Sequence, residues 1–222
     1  MLTAPHLTVR HEAGADLSTL VWRLPRPMCC VSTAAIGGGF SESAWVVNAQ
    51  VASGYHRDDL ELHGAEIAAA LDLTGPGVVM LTAVDVRTHH AAAHEDAYVL
   101  ATVGVTDPTW AADPAVDSRS LRNAPTPAGT VNVVVSVPRP VAPAGLVNLV
   151  ATVTEAKCQA FADLAVPGTG TPSDAVTVLC PIDGKAESFG GPRSLWGARV
   201  ANATYDAVVA GVRGLRDGGA RC

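Results

Sequence analysis

The sequence predicts an α+β fold: a layered mixed or antiparallel sheet packed by two or three long helices, and not a Rossmann-like doubly wound sheet. Three observations predict it. β-branched apolar runs crowd the first half of the 222 residues, two long helical periodicities fill the second half, and strictly alternating strand–helix units are absent. With 48% hydrophobic residues the chain can bury one sizeable core. We therefore expect a single domain over residues 1–222, with roughly 25 N-terminal and roughly 7 C-terminal residues peripheral.

The elements follow in order. Residues 7–10 and 19–24 read as strands of a hairpin, after which Pro25 and Pro27 break the chain. Residues 29–33 make a short strand, Gly37-Gly38-Gly39 a flexible turn, and residues 45–51 another strand. Residues 58–71 place Leu60, Ile67 and Leu71 at helical spacing, with Asp58 and Asp59 suited to a positive helix N-terminus. Residues 78–84 and 98–105 read as buried strands, joined by a segment that carries His89, His90 and His94. Residues 107–127, rich in Pro, Asp and Ser, read as a long loop, and residues 129–137 as a strong strand. Pro138, Pro140 and Pro143 lead into a helix over residues 144–164. A Gly/Thr loop, a strand over 175–180, a Gly-rich loop over 184–191 and a helix over 195–215 complete the chain, with Gly218-Gly219 ending the helix.

Charge excludes some functions. Only 16% of residues are charged and the net charge is −6, so no basic stripe exists for nucleic acid. The N-terminus lacks the basic and apolar pattern of a secretory leader, and no apolar run reaches the ~20 residues that span a bilayer. The five cysteines (Cys29, Cys30, Cys158, Cys180 and Cys222) show no C-x-x-C spacing. That set fits a reduced cytoplasmic protein without a disulfide framework or structural zinc. His90, His94 and Glu95 could gather a metal, but an Ala-rich, solvated loop is the preferred reading, and no metal ligand or cofactor is assigned. A homo-oligomer is allowed for.

Two polar motifs interrupt the apolar sequence. Thr154-Glu155-Ala156-Lys157 lies within the 144–164 helix. On a helical wheel Leu146, Leu149, Val150, Val153, Ala160, Phe161 and Leu164 share one face, with Lys157 in its middle and Glu155 turned roughly opposite. An ammonium there either snorkels, pairs with a structural carboxylate, or serves a site. The second motif is the loop of Gly168, Thr169, Gly170, Thr171, Pro172, Ser173 and Asp174, which offers three hydroxyls, a carboxylate and glycines that allow close backbone approach. It is not a P-loop, since no lysine follows the last glycine and a strand comes next. Asn48 and Asn132 sit inside apolar strands, either as hydrogen-bonded core amides or as site groups.

These residues carry a resemblance. The sequence resembles the adenosylcobinamide amidohydrolase family from about Ser32 to Leu215. The marks are Ser32-Thr33-Ala34-Ala35 with Gly37-Gly38-Gly39, then Val47-Asn48, then Gly129-Thr130-Val131-Asn132. Thr154-Glu155-Ala156-Lys157, Gly168-Thr169-Gly170-Thr171 with Asp174, and Gly190-Gly191 through Gly197 follow in the family's order. Two departures stand out. Pro172 and Ser173 intervene before Asp174, and the closing segment is Phe189-Gly190-Gly191-Pro192 where the family usually has Ala-Gly-Thr.

The resemblance implies a cytoplasmic, cofactor-independent amidohydrolase of corrinoid salvage. Such enzymes convert adenosylcobinamide to adenosylcobyric acid and 1-aminopropan-2-ol. Lys157, Glu155, Thr169, Thr171 and Asp174 are then the candidate catalytic residues, and Asn48, Asn132, Thr154, Gly168 and Gly170 the candidate substrate contacts. Two rivals remain: a corrinoid-binding protein without hydrolysis, and an unrelated small-molecule amidase with Cys158 or Thr169 as nucleophile.

Overall fold

The computed structural model describes residue 2, residues 4–114 and residues 129–219. Strands β1 (His6–Glu12) and β2 (Ala15–Ser32) form the expected hairpin. The turn residues Ala13 and Gly14 both have positive φ, 50° and 79°, which matches the strand twist of a two-residue turn. Pro25 and Pro27 do not break the chain as expected. β2 runs through them, and its register against β3 (Gly39–Gln50) shifts between Arg23 and Met28. Proline cannot donate to a ladder, and an irregularity of this kind leaves residues unpaired, so the strand bends there instead of ending. The expected strand at 29–33 is thus largely the far end of β2.

Helix α1 (Leu60–Ala70) connects β3 to β4 (Gly77–Thr82), and these two strands pair in parallel. Helix α2 (Pro143–Asp163) connects β7 (Thr130–Ser136) to β8 (Ala175–Cys180), also parallel. The segment expected as a solvated histidine loop is instead β5 (His90–His94), hairpinned to β6 (Ala97–Gly104) through Glu95 at φ 50°. Pairing with β6 and packing under α3 (Leu195–Gly219) override the low strand propensity of its alanines. His94 Nε2 lies 3.4 Å from Asp206 of α3. Of the long loop expected over 107–127, residues 115–127 lie outside the described residues.

The strands join in one mixed sheet, ordered β4-β3-β2-β8-β7-β6-β5, with β1 added to β2. Two parallel pairs among antiparallel ones, in this order, make an α+β fold and not a Rossmann arrangement. The long strand β2 lets the sheet fold over on itself. Leu20, Trp22, Val46 and Met80 from its first half pack with Leu100, Val134 and Leu179 from its second. α1 covers the outer face of the first half through Ile67 on Val21, Val47 and Val79. α2 and α3 cover the outer face of the second half, through Leu149, Phe161, Val200 and Val208 on Val99, Val133 and Val178. The result is helix, sheet, sheet, helix. β7 and β8 are buried on both faces, which explains their largely apolar, Val-rich sequences.

Asn48 and Asn132 meet between the two sheet layers, and neither is exposed. Asn48 donates to Thr102 Oγ1 at 2.9 Å, and Asn132 Nδ2 lies 2.9 Å from Asn48 Oδ1 and 3.1 Å from the Leu81 carbonyl. The strand asparagines are therefore core amides that tie the layers together. Asn48→Leu should cost about 2 kcal/mol, because it removes one hydrogen-bond partner each from Thr102 and Asn132. Denaturant unfolding at constant m-value checks this.

Candidate active site

A cleft of about 410 Å³ opens at the end of the sandwich where β3 and β4 finish and β7 and β8 begin. Thr33, Thr130, Ser173 and Asp174 stand on the wall that belongs to the half backed by α2 and α3, and Tyr55 and Thr82 on the opposite wall, which belongs to the half backed by α1. The register explains the first wall. Thr33 follows the end of β2 and exchanges hydrogen bonds with Val176, its N–H donating to the Val176 carbonyl while its Oγ1 accepts from Val176 N, both at 2.9 Å. That leaves the Thr33 hydroxyl proton free to point into the cleft. Thr130 and Ser173 share a hydrogen bond of 2.7 Å, and Ser173 donates to the Gly129 carbonyl at 3.1 Å.

Asp174 is the hub of this wall. Its Oδ1 accepts from Val131 N at 2.8 Å and from Thr171 Oγ1 at 2.5 Å. Its Oδ2 accepts from Thr171 N at 3.1 Å and pairs with Lys157 Nζ. Four donors thus hold one carboxylate, and they come from β7, from the 168–174 loop and from α2. Lys157 is buried, with its ammonium 5.9 Å from the Phe161 ring centroid. The apolar helix face that carries it is covered by the sheet, so the ammonium needs this carboxylate. A Cβ on Gly170 would lie 2.6 Å from Lys157 Nζ and 2.7 Å from Asp174 Oδ2. The glycine at this position makes room for the ion pair.

Of the candidate catalytic and substrate-contact residues, Asp174 alone lines the cleft. Lys157 and Thr171 reach it through Asp174. Thr169 turns the other way: its Oγ1 accepts from Ala111 N at 2.9 Å, and Cys158 Sγ donates to its carbonyl at 3.0 Å. Gly168 packs on Thr109, whose N and O would each lie 2.8 Å from an added Cβ. Thr154 and Glu155 are exposed on the outer face of α2, and Thr154 bonds back to the Val150 carbonyl at 3.0 Å. Asn48 and Asn132 lie in the core beneath the cleft.

Sequence reasoning carried Thr33 and Thr130 only as parts of motifs, and Ser173 only as an insertion. Tyr55 carried no signal, since its neighbours are exposed and without periodicity. Burial pushes the Cys30 thiol up to about 11 and the Cys180 thiol up to about 12, so neither is a thiolate nucleophile at neutral pH. No group of three or more metal-ligating side chains occurs among the described residues. No helix among them is long and apolar enough to cross a membrane.

With this geometry in hand, the chain can be compared with known proteins. A family model described as adenosylcobinamide amidohydrolase matches residues 3–217. A relative from Halobacterium salinarum, described as an adenosylcobinamide amidohydrolase, is 36% identical over 133 residues, covering 59% of this chain and 56% of that one. The matched stretch therefore spans little more than half the length of that relative. Among solved structures, a Pyrococcus horikoshii OT3 protein is 12% identical, covering 96% of this chain and 82% of its own, with a TM-score of 0.46. A Burkholderia beta-aminopeptidase is 13% identical, covering 94% and 83%, with a TM-score of 0.42.

Proposed function

The chain belongs to the adenosylcobinamide amidohydrolase family, and from that premise we propose that it hydrolyses the amide joining the aminopropanol arm of adenosylcobinamide to the corrin ring. The products are adenosylcobyric acid and 1-aminopropan-2-ol. One observation carries this reading to the cleft: three separate family-marking motifs, at Thr33, at Gly129-Thr130 and at Asp174, converge on it from distant parts of the sequence. A corrin ring with its axial ligand does not fit in about 410 Å³. In this reading the arm enters and the ring stays at the rim.

The hydroxyl wall suits an amide. Thr33 has a proton to donate toward the carbonyl oxygen as charge develops there. The Thr130–Ser173 pair offers a fixed polar edge, and Asp174, anchored by Lys157 and Thr171, holds the wall in place. Thr33→Val keeps the shape and removes that donor. It should lower kcat by ~10²-fold with KM little changed. Equal kcat in steady-state assays would remove Thr33 from the reaction. The unpaired cysteines among the described residues support a reducing, cytoplasmic setting.

The deciding experiment is mass spectrometry of adenosylcobinamide incubated with the pure protein. Cobyric acid as product supports hydrolysis, while tight binding without product supports a corrinoid-binding protein instead. Activity should persist in EDTA, because no ligand cluster stands near the cleft among the described residues. Loss of activity that zinc or manganese restores would overturn this.

A further inference from the structure

Behind the opposite wall runs a line of polar groups that the hydroxyl wall does not explain. Tyr55 Oη lies 2.7 Å from His63 Nδ1, and the two rings stack with centroids 5.3 Å apart at 28°. His63 is fully buried in the first turn of α1. Its Nε2 is 2.9 Å from Glu12 Oε1 but off the direction of the ring N–H, so the contact is electrostatic and not an aligned hydrogen bond. Arg10 Nη1 holds Glu12 at 2.5 Å. Arg10 is itself buried and donates to Thr19 Oγ1 at 2.9 Å and to the Gln50 carbonyl at 2.8 Å. Pairing β1 with β2 needs none of these groups, and burying a guanidinium and an imidazole beside a half-buried carboxylate costs stability. The line ends at the cleft, on Tyr55.

We propose that Tyr55 is a catalytic residue that carries protons in this cleft, and that His63, Glu12 and Arg10 are positioning residues that hold and supply it. The inference rests on the amide-hydrolysis reading above. The Glu12 carboxylate beside Nε2 favours the tautomer with its proton there, so Nδ1 accepts the Tyr55 O–H. The phenol oxygen then has a lone pair for a cleft water. As the water oxygen bonds to the amide carbon, a water proton passes to Tyr55 Oη and the Tyr55 proton passes to His63 Nδ1. Glu12 stabilises the resulting imidazolium. As the C–N bond breaks, Tyr55 gives its proton to the leaving nitrogen and regains one from His63. One proton has moved from water to the amine, and the relay is restored.

The surroundings keep the phenol protonated at rest. Burial pushes Tyr55 above its ordinary range, Arg57 opposes this, and Glu12, Asp59 and Glu66 add to it. Arg57 is itself neutralised by Asp59 and Glu66, each at 2.6 Å.

The test is steady-state hydrolysis of adenosylcobinamide by the full chain. Tyr55→Phe keeps the ring stacked on His63 and should lower kcat by ~10²-fold or more with KM and melting temperature close to wild type. Glu12→Gln keeps an acceptor for Arg10 and removes the charge, and should lower kcat by ~10-fold with KM unchanged. A purely structural tie would lower melting temperature, or shift KM with kcat, and would not lower kcat alone. Overturning results are a Tyr55→Phe kcat within about threefold of wild type, or losses in both variants that track the folded fraction. If the wild type forms no cobyric acid, the hydrolysis reading falls and this step falls with it. If the wild type turns over and Tyr55→Phe matches it, only the step falls.

Discussion

Lys157→Met is expected to destabilise the protein by about 3 kcal/mol and to lower turnover by more than the lost folded fraction. Methionine keeps the aliphatic stem against Phe161 and removes only the charge. Asp174 is then left with its three remaining donors and no counter-charge in a largely buried position. Breaking a buried pair by removing one partner costs ~3–5 kcal/mol, and the cleft lets some water reach Asp174, which favours the lower end. A typical domain with ~5–15 kcal/mol of stability survives this at room temperature, so the variant can be assayed. Turnover falls because Asp174 joins the helix, the 168–174 loop and the cleft wall. Asp174→Asn should lower turnover by a similar factor, and the double variant should lose little more. A melting temperature equal to wild type would show that the pair contributes nothing. Unchanged turnover per folded molecule would make it purely structural.

How much of this was legible follows from where each signal lives. The lysine on the apolar face of α2 was visible because helical period fixes which residues share a face, and its carboxylate lay 17 residues away in a motif already noted. β7, β8 and α2 were legible for the same reason: long, uniform periodicity. The strand asparagines were visible as out of place in apolar strands, but the sequence left open whether they serve the core or a site, because their partners Thr102 and the Leu81 carbonyl lie far away in the chain. What failed were features that depend on partners distant in sequence. Pro25 and Pro27 look like a break until β3 pairs on both sides of the bulge. The alanines of β5 look like a loop until β6 and α3 cover them. Glu12, Tyr55 and His63 share no spacing rule, because a hairpin edge, a loop and a helix meet only after the sheet has folded over.

Gly197→Ala should be strongly destabilising, and the sequence motif that contains it is then a packing device and not part of the chemistry. In an open helix alanine is favoured over glycine by about 1 kcal/mol, so propensity alone predicts a gain. The structure opposes that gain with backbone. A Cβ on Gly197 would lie 1.9 Å from the Gly191 carbonyl oxygen and 2.4 Å from that of Gly190. Gly190 is in turn pressed on α2, where its own Cβ would lie 2.1 Å from the Gly145 oxygen and 2.8 Å from Leu149 N. Thr152 Oγ1 donates to the Gly190 carbonyl and Ser194 Oγ to that of Gly191, both at 2.9 Å or less, so neither oxygen can swing aside cheaply. α3 must lift off β5 and β6, which it covers, exposing Trp196, Val200 and Ala203. Overpacking against side chains costs ~1–3 kcal/mol, and against a fixed backbone we expect more than about 3 kcal/mol. This junction lies beyond the Cys180 end of β8, whereas the cleft lies at the Ala175 end. Residual folded Gly197→Ala should therefore show wild-type KM. Gly218→Ala, near the end of the same helix with nothing within 4 Å of the added carbon, is the matched control and should be neutral or slightly stabilising. If chemical denaturation gives Gly197→Ala and Gly218→Ala the same midpoint, the close approach of α3 to the 190–191 backbone does not set the stability of this helix layer.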